Sequence, residues 1–502
     1  MTMKNTADLL AFDVGTSSCK AAIFSEQGEL LATGRGAYNV YHRNDVCVEQ
    51  DPEEIFTGVQ FALDAIRRQG FDLASIRAIG ISSQMAAHCL IGCEDKPITP
   101  ILSWMDQRAR AEVDSFNLAF TQAEAKRLMG MDIKMTPAHT VIRLKWLNAH
   151  HRELLEKAKY FVQVKDLLVQ ELTGCWVSDV TTLKGLVDQK SGAIIPEMLK
   201  FTGCQADILL PAKMPYEEAG KLLPGIEGFE DLIPGIPVVV GWNDMNAAFL
   251  GMGGMSGQCA GMDLTGTSEH LGISSSRIPQ DYLTCGLNSV PFLREKNVCY
   301  GVTSAGGQAF DWYMKQIYSN ETDDPYARLM DKITNIEPNS IGNLLFIPYI
   351  EGERNPWIID RGNGMFMCLS GENTKEDMAI AVMEGVCFEL RSILERMPIQ
   401  PMEIVVSGGA ARNDFWNQMK ADVMGIPYKR LYTTEAGCNG AAILAKSVLE
   451  PDRDITDIAS EMTHSVKCYE PRTTYHDYYD EKYHMFLNVL EQLILKAGRS
   501  FK

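Results

Sequence analysis

Long apolar runs, basic excess and patterned cysteines are what this chain lacks. No stretch approaches the roughly 18 consecutive apolar residues that a membrane-spanning helix needs. Met1 to Asp8 carries a lysine but no apolar segment of the secretory kind, so the expected location is cytoplasmic, with no membrane partner. Acids outnumber bases by 65 to 47, for a formal net charge of -18, and a field of that sign repels nucleic-acid backbones and anionic lipid. No nucleic-acid partner is expected. The 13 cysteines are odd in number and scattered, without the dense spacing of a disulfide scaffold, and they read as reduced thiols. Cys89 and Cys93 share an apolar stretch, but no second pair at metal-ligand spacing accompanies them.

What is present is the material of a large globular protein. At 502 residues the chain exceeds what one hydrophobic core supports, and 46% apolar with 22% charged residues excludes disorder. Two domains are expected, 1-254 and 255-502, with a hinge at the glycine-rich run Gly251 to Gly257. The pattern is α/β. Asp51-Pro52-Glu53-Glu54 opens a helix with a capping acid, a proline at the first helical position and apolar residues at Ile55, Val59, Leu63 and Ile66. Thr374 and Asp377 open a second long helix with Met378, Val382, Val386, Leu390 and Leu394 on one stripe. Thr136 to Thr173 reads as largely helical, Thr202 to Pro237 as loops, and the tyrosine-rich segment after Tyr475 as a helix docked on the body.

Twice, about 250 residues apart, an apolar strand runs into an aspartate and then a Gly-Thr-Ser turn. The first copy is Phe12-Asp13-Val14-Gly15-Thr16-Ser17, continuing to Lys20 and two further strands; the second is Met262-Asp263-Leu264-Thr265-Gly266-Thr267-Ser268. Glycine lets the backbone approach a phosphate oxygen, and the amides and hydroxyls that follow donate to it. Thr16, Ser17 and Lys20 in one turn, and Gly266 and Thr267 in the other, are therefore candidate phosphate contacts. An ordinary hairpin turn would look the same in either copy alone.

Two carboxylates stand at strand ends. Asp244 follows Val238-Val239-Val240-Gly241-Trp242-Asn243 at the start of a helix expected over Met245 to Phe249, a position suited to a general base. Asp13 faces the first turn, where it would hold Mg²⁺ or its waters. Val405 to Asn413 is a third strand-to-glycine turn, with Gly409, Ala410 and Asn413 candidates for the base or ribose of a nucleotide. Glu435 to Ala442 repeats the theme with small residues that would let a helix approach a nucleotide.

Taken together these segments resemble the FGGY carbohydrate kinases, the group containing xylulokinase, gluconokinase and glycerol kinase. The resemblance runs through Asp13 to Lys20, Gly80 to Met85, Trp104 to Ala109, Lys165-Asp166-Leu167, Asp244, Gly266-Thr267, Ser304 to Gly307, Gly352 to Pro356, Glu384-Gly385-Val386 and Gly408 to Asn413, in the family's order. It implies two actin-like ATPase domains of the ribonuclease H type flanking an interdomain cleft for MgATP and a small-molecule sugar. In that picture Asp244 takes the proton from the attacking hydroxyl, Asp13 helps place the metal, and Thr16, Gly266 and Thr267 meet phosphates. Gly307, Gly409 and Asn413 would line the adenosine site. Gln84, Met85, Trp104, Asp106 and Trp242 are expected on the sugar side.

Two departures bear on the acceptor. Xylulokinase-like members follow the Gln-Met pair with a histidine where this chain has Ala86, and carry asparagine after the catalytic aspartate where this chain has Met245. The acceptor is therefore left as a ketose, polyol or aldonate. Cys368 stands where relatives usually place glycine. A sugar sensor derived from such a kinase, and an actin-type ATPase without a sugar acceptor, stay open beside the kinase, and a homodimer is compatible with the reading.

Overall fold

The computed structural model describes residues 8-189, 191-279, 286-319, 324-353, 355-357, 359 and 362-495, with side chains as far as 492. The residues before Asp8, and Arg354 of the family-like Gly352 to Pro356 segment, lie outside that set. Packing separates two units: one takes the chain up to Ser256 together with Glu435–His464, the other runs from Gly257 to Thr434 and resumes at Ser465.

In the first unit, strand Asp8–Val14 pairs antiparallel with Ser18–Ser25, which pairs antiparallel with Leu30–Ala37. On its other side Asp8–Val14 runs parallel to Ile76–Ser83, and Pro237–Val239 continues the parallel order. Residues Leu9 to Phe12 are completely buried, the signature of a strand covered on both faces. Helix Pro52–Arg67 packs on the two antiparallel strands. Its start follows the sequence pattern: Asp51 accepts from the Glu53 amide (2.8 Å), and Ile55, Val59, Leu63 and Ile66 are the buried stripe.

Helix Ala436–Leu449 packs on Asp8–Val14, Ile76–Ser83 and the helix Asp244–Gly251. The approach is as close as backbones allow. A Cβ at Gly80 would lie 1.9 Å from the Ala441 carbonyl oxygen, so the small residues of Glu435 to Ala442 serve helix-to-sheet contact within the protein.

The second unit repeats the topology. Strand Cys259–Thr265 pairs antiparallel with Glu269–Ser275 and parallel with Ile404–Gly408, as Asp8–Val14 does with its own two neighbours. Tyr428–Leu431 extends the parallel side. Helix Lys375–Glu395 fills the core, opened by the expected Thr374 and Asp377 box, with Asp377 N–H donating to Thr374 (3.2 Å) and Thr374 N–H to Asp377 (2.8 Å). The C-terminal helix His476–Val489 buries Tyr479, Tyr483 and Phe486, as its pattern predicts.

One element departs from expectation. Thr136 to Thr173 is not helical throughout: helices Thr140–His150 and Val164–Thr173 flank strand Ala158–Gln163, which pairs antiparallel with His88–Gly92. Tyr160, Phe161 and Val162 are a β-prone triplet, and the helical stripes on both sides mask it. Among the described residues no helix is long and apolar enough to cross a membrane, all described cysteines are free, and no cluster of three or more potential metal ligands occurs.

Candidate active site

The first Gly-Thr-Ser turn is a tight hairpin, closed by Gly15 N–H to Ser18 O (3.0 Å), with Asp13 opposite Lys20 in register. Tyr38 pins it by donating its hydroxyl to Gly15 O (2.6 Å). Ser17 is exposed and Thr16 partly so. Lys20 pairs with Glu435 at 2.6 Å, which brings the start of helix Ala436–Leu449 to the hairpin. At Gly437 a Cβ would meet Asp13 Oδ2 at 2.7 Å, so a side chain there would displace the carboxylate.

Asp13 accepts from Ser82 Oγ at 3.0 Å through Oδ1. Burial raises its pKa, with Ser82 and Lys20 opposing. Two strands away, Trp242–Asn243 pairs with Ser82 and Ser83, so Asp13 and Trp242 flank Ser82 about 10 Å apart by strand spacing. Asp244 comes next. It is the first residue of helix Asp244–Gly251, one residue longer at its start than expected, with Asn243 as the cap that accepts from Asn246 N–H at 3.0 Å. Burial and then the Asp13 charge push the Asp244 carboxyl up to about 7, against 3.8 ordinarily. That is the value a proton acceptor near neutral pH requires.

The expected sugar-side residues separate into two kinds. Trp104 is 39% exposed and donates its indole N–H to Thr16 Oγ1 (2.9 Å), so it borders the first hairpin. Gln84 is buried, donates to Gln50 Oε1 (3.1 Å), and keeps an acceptor oxygen with no donor. Gln50 in turn donates to Thr16 O (2.6 Å). Met85 is partly buried, and Ala86 takes a left-handed φ of 63° with its N–H on Gln163 Oε1 at 3.0 Å.

Asp106 and Trp242 are committed inside the protein. Asp106 is buried and accepts from Val48 N–H (3.0 Å), Arg108 N–H (3.1 Å) and Arg108 Nε (2.8 Å), so it shapes the loop that carries Trp104. Trp242 offers no wall to a sugar. It has no exposed surface, because an indole's area favours burial once its N–H is satisfied, here by Thr181 Oγ1 at 2.9 Å. Asn243 donates to the same oxygen at 3.1 Å.

In the second unit, Gly266 and Thr267 are exposed at the hairpin tip. Gly307, expected at the adenosine site, lies against this turn: its N–H donates to Gly266 O (2.8 Å) and that of Gln308 to Thr267 O (3.0 Å). Gly409 is exposed and Ala410 partly so. Asn413 uses both ends of its amide internally, capping helix Asp414–Met424 through Trp416 N–H (3.0 Å) and donating to the Tyr326 hydroxyl (3.0 Å). Beneath the hairpin Lys420 bonds Asp263 (2.9 Å) and Glu269, all three buried. Burial and Asp263 raise the Glu269 pKa while Lys420 holds it down.

Gln50, Gln163, Thr181 and Lys420 were not visible as site residues in the sequence. Thr181-Thr182 after Asp179 is the one local signal, a cluster of hydroxyls in an apolar run. The others act across long separations.

The family's N-terminal domain matches residues 9–251 and its C-terminal domain residues 261–447. The chain belongs to the FGGY family of carbohydrate kinases. Its reaction class is ATP-dependent phosphoryl transfer to a sugar. A gluconokinase of Bacillus subtilis (strain 168) is 27% identical over 471 residues, covering 88% of this chain and 87% of that protein. A xylulose kinase of Escherichia coli (strain K12) is 24% identical, covering 90% and 92%. The crystal structure of a ligand-bound xylulose kinase from Lactobacillus acidophilus shares the fold with a TM-score of 0.85 at 23% identity, covering 98% and 99% of the two chains.

Proposed function

We propose that this FGGY kinase phosphorylates a hydroxyl of a small ketose, polyol or aldonate, with Asp244 as the base that accepts the hydroxyl proton. The observation that carries the assignment is the position of Asp244: a strand-end carboxylate at a helix start, sharing its surroundings with Asp13. Adding a second negative charge beside Asp13 is unfavourable, so Asp244 keeps an affinity for protons that an exposed aspartate lacks. Gln84 Oε1, buried without a donor, suits a sugar hydroxyl, since a buried acceptor ordinarily finds a partner. Trp104 suits an apolar sugar edge, and Met85 lies next to Gln84 in the same loop.

The phosphate contacts are assigned to Thr16, Ser17 and Lys20 in one unit and to Gly266 and Thr267 in the other, with Gly409 and Ala410 on the nucleoside side. Gly307 and Asn413 support those turns from within. Asp13 fits a divalent cation. Its Oδ1 takes the Ser82 hydroxyl and its Oδ2 has no donor among the described residues, and Mg²⁺ is commonly held by one or two carboxylates plus substrate phosphates in place of an all-protein cage. Mg²⁺, when bound, would neutralise charge on the phosphate oxygens. The names of the relatives, gluconokinase and xylulose kinase, support an acceptor in this size range.

The test is ADP release with MgATP against a panel of ketoses, polyols and aldonates. At least one acceptor is expected to raise ADP release about 100-fold or more over the sugar-free rate. Asp244→Asn should lower that turnover about 10²- to 10⁴-fold. Hydrolysis of ATP indifferent to every acceptor would reject the kinase assignment.

A further inference from the structure

Lys165-Asp166, a segment of the family-like pattern, has no part in the site as described, yet both side chains are buried and paired at 2.6 Å. Lys165 Nζ also meets Asp179 Oδ2 at 3.1 Å, and Ser178 Oγ donates to Asp166 Oδ1 at 2.9 Å. Taking three charges out of water costs about as much as their attraction returns, so such a cluster is a poor source of stability. What it holds in place is the better question.

It holds Thr181. Asp179 Oδ1 accepts from Thr181 N–H (2.8 Å), from the Thr181 hydroxyl and from Thr182 N–H (3.1 Å), while Oδ2 takes the Thr182 hydroxyl beside Lys165. The Thr181 proton is thereby committed to the carboxylate. Its oxygen is left as an acceptor, and it receives Trp242 Nε1 at 2.9 Å and Asn243 Nδ2 at 3.1 Å. A hydroxyl offers one donor and two acceptor positions, and at Thr181 all three are filled.

The consequence falls on Asn243. An asparagine amide can present either its oxygen or its nitrogen to a neighbour. Because Thr181 has no proton left to give, only Nδ2 can face it, and Oδ1 is turned to accept from Asn246 N–H at 3.0 Å. That bond is the cap of helix Asp244–Gly251, whose first residue is Asp244. Trp242 and Asn243 also pair with Ser82 and Ser83, and Ser82 is the residue that holds Asp13.

We propose that Thr181 is a positioning residue for Asp244: its hydroxyl, oriented by Asp179 and anchored through Lys165, fixes the two side chains before the base and with them the helix turn that carries it. The proposal rests on Asp244 being the base. Lys165-Asp166 and Asp179 then serve catalysis at a distance, as the rigid footing of one hydroxyl.

The experiment measures kcat and both KM values at pH 8 in Thr181→Val, which keeps the side-chain shape and removes the hydroxyl, with the acceptor that gives the highest turnover in the panel. A fall in kcat of about 10- to 100-fold is expected, the loss that a displacement of the order of 1 Å produces, with KM for acceptor and MgATP within about threefold of wild type. Thr181→Ser restores the hydroxyl and should recover most of the loss. If Thr181 mattered only for packing, serine, smaller by a methyl, would do no better than valine. Asn243→Ser breaks the same contact from its other end while keeping a cap oxygen for the Asn246 amide, and the same loss in kcat is expected; it decides the matter should Thr181→Val fail to fold. In the Asp244→Asn background, adding Thr181→Val should lower kcat by less than about twofold more, because a residue acting through Asp244 then has nothing to position. Unchanged kcat in Thr181→Val and Asn243→Ser, a loss confined to KM, a serine variant no better than valine, or losses that multiply in the double variant would each overturn the proposal and leave Asp244 as the base. Full turnover by Asp244→Asn would remove the base assignment, and this proposal with it.

Discussion

At the scale of single residues, Asp244 makes the sharpest demands. Its carboxyl is raised from 3.8 to about 7 by burial and by Asp13, and a base works only when deprotonated. For acceptors that do not themselves titrate, kcat/KM should therefore fall about tenfold per pH unit below 7 and level off above it. The same shift has a stability consequence with a definite sign. Between pH 4 and 7 the folded state holds a proton that the unfolded chain has released, so stability from this group is lost as pH rises through that window. Asp244→Asn should melt higher than wild type at pH 8, with the difference closing toward pH 4. Equal melting temperatures at both pH values would show that the folded environment does not disfavour the charge.

Cys368 offers an independent check on backbone reading. It adopts φ 56°, in the left-handed region, where a Cβ is strained and a hydrogen is not. Cys368→Gly is expected to gain about 0.5–1 kcal/mol in urea unfolding, the relief of strain exceeding the entropy that glycine adds to the unfolded chain. A loss of stability would contradict the strain.

At the scale of elements, the hairpins are held from beneath as well as shaped by their turns. Lys420 lies between Asp263 and Glu269 on the two strands of the second hairpin. Lys420→Met would leave two buried carboxylates without a cation, and a loss of about 3–5 kcal/mol is expected by chemical denaturation. Adding Glu269→Gln should restore part of it, since one of the stranded charges is then gone.

Local grammar and non-local packing divide what could be read from the sequence at this scale. Helix Pro52–Arg67 was legible because Asp51, Pro52 and the Ile55 to Ile66 stripe are all local signals. Strand Ala158–Gln163 was not, because its partner is His88–Gly92, some 70 residues away in sequence. The small residues of Ala436–Leu449 suit close approach of any kind, and sequence alone does not single out Gly80 and the Asp13 carboxylate as what they approach. The family resemblance points Asp106 to the sugar side and the strand-end position does the same for Trp242, whereas their burial goes with hydrogen bonds to Thr181, Val48 and Arg108, which no spacing rule connects to them.

For the whole molecule, the repeated aspartate-glycine-threonine-serine turn proved the strongest single guide. Each copy caps the central strand of its own unit, antiparallel to one neighbour and parallel to the other. The excess of acids, net -18, is no obstacle to a nucleotide, because in the proposed assignment backbone amides and hydroxyls at the turns would act at contact distance while distant charges are screened. That Glu435–His464 returns to the first unit was beyond local reading, since it turns on Ala441 meeting Gly80.

The central claim is that one carboxylate, Asp244, accepts the proton from a sugar hydroxyl as phosphate leaves ATP. The most direct measurement is sugar-dependent ADP release by wild type and Asp244→Asn at saturating MgATP and acceptor, at pH 8 where the wild-type group is ionised. A drop of about 10²- to 10⁴-fold in kcat with ATP binding retained is predicted. Full turnover by the asparagine variant would contradict the account.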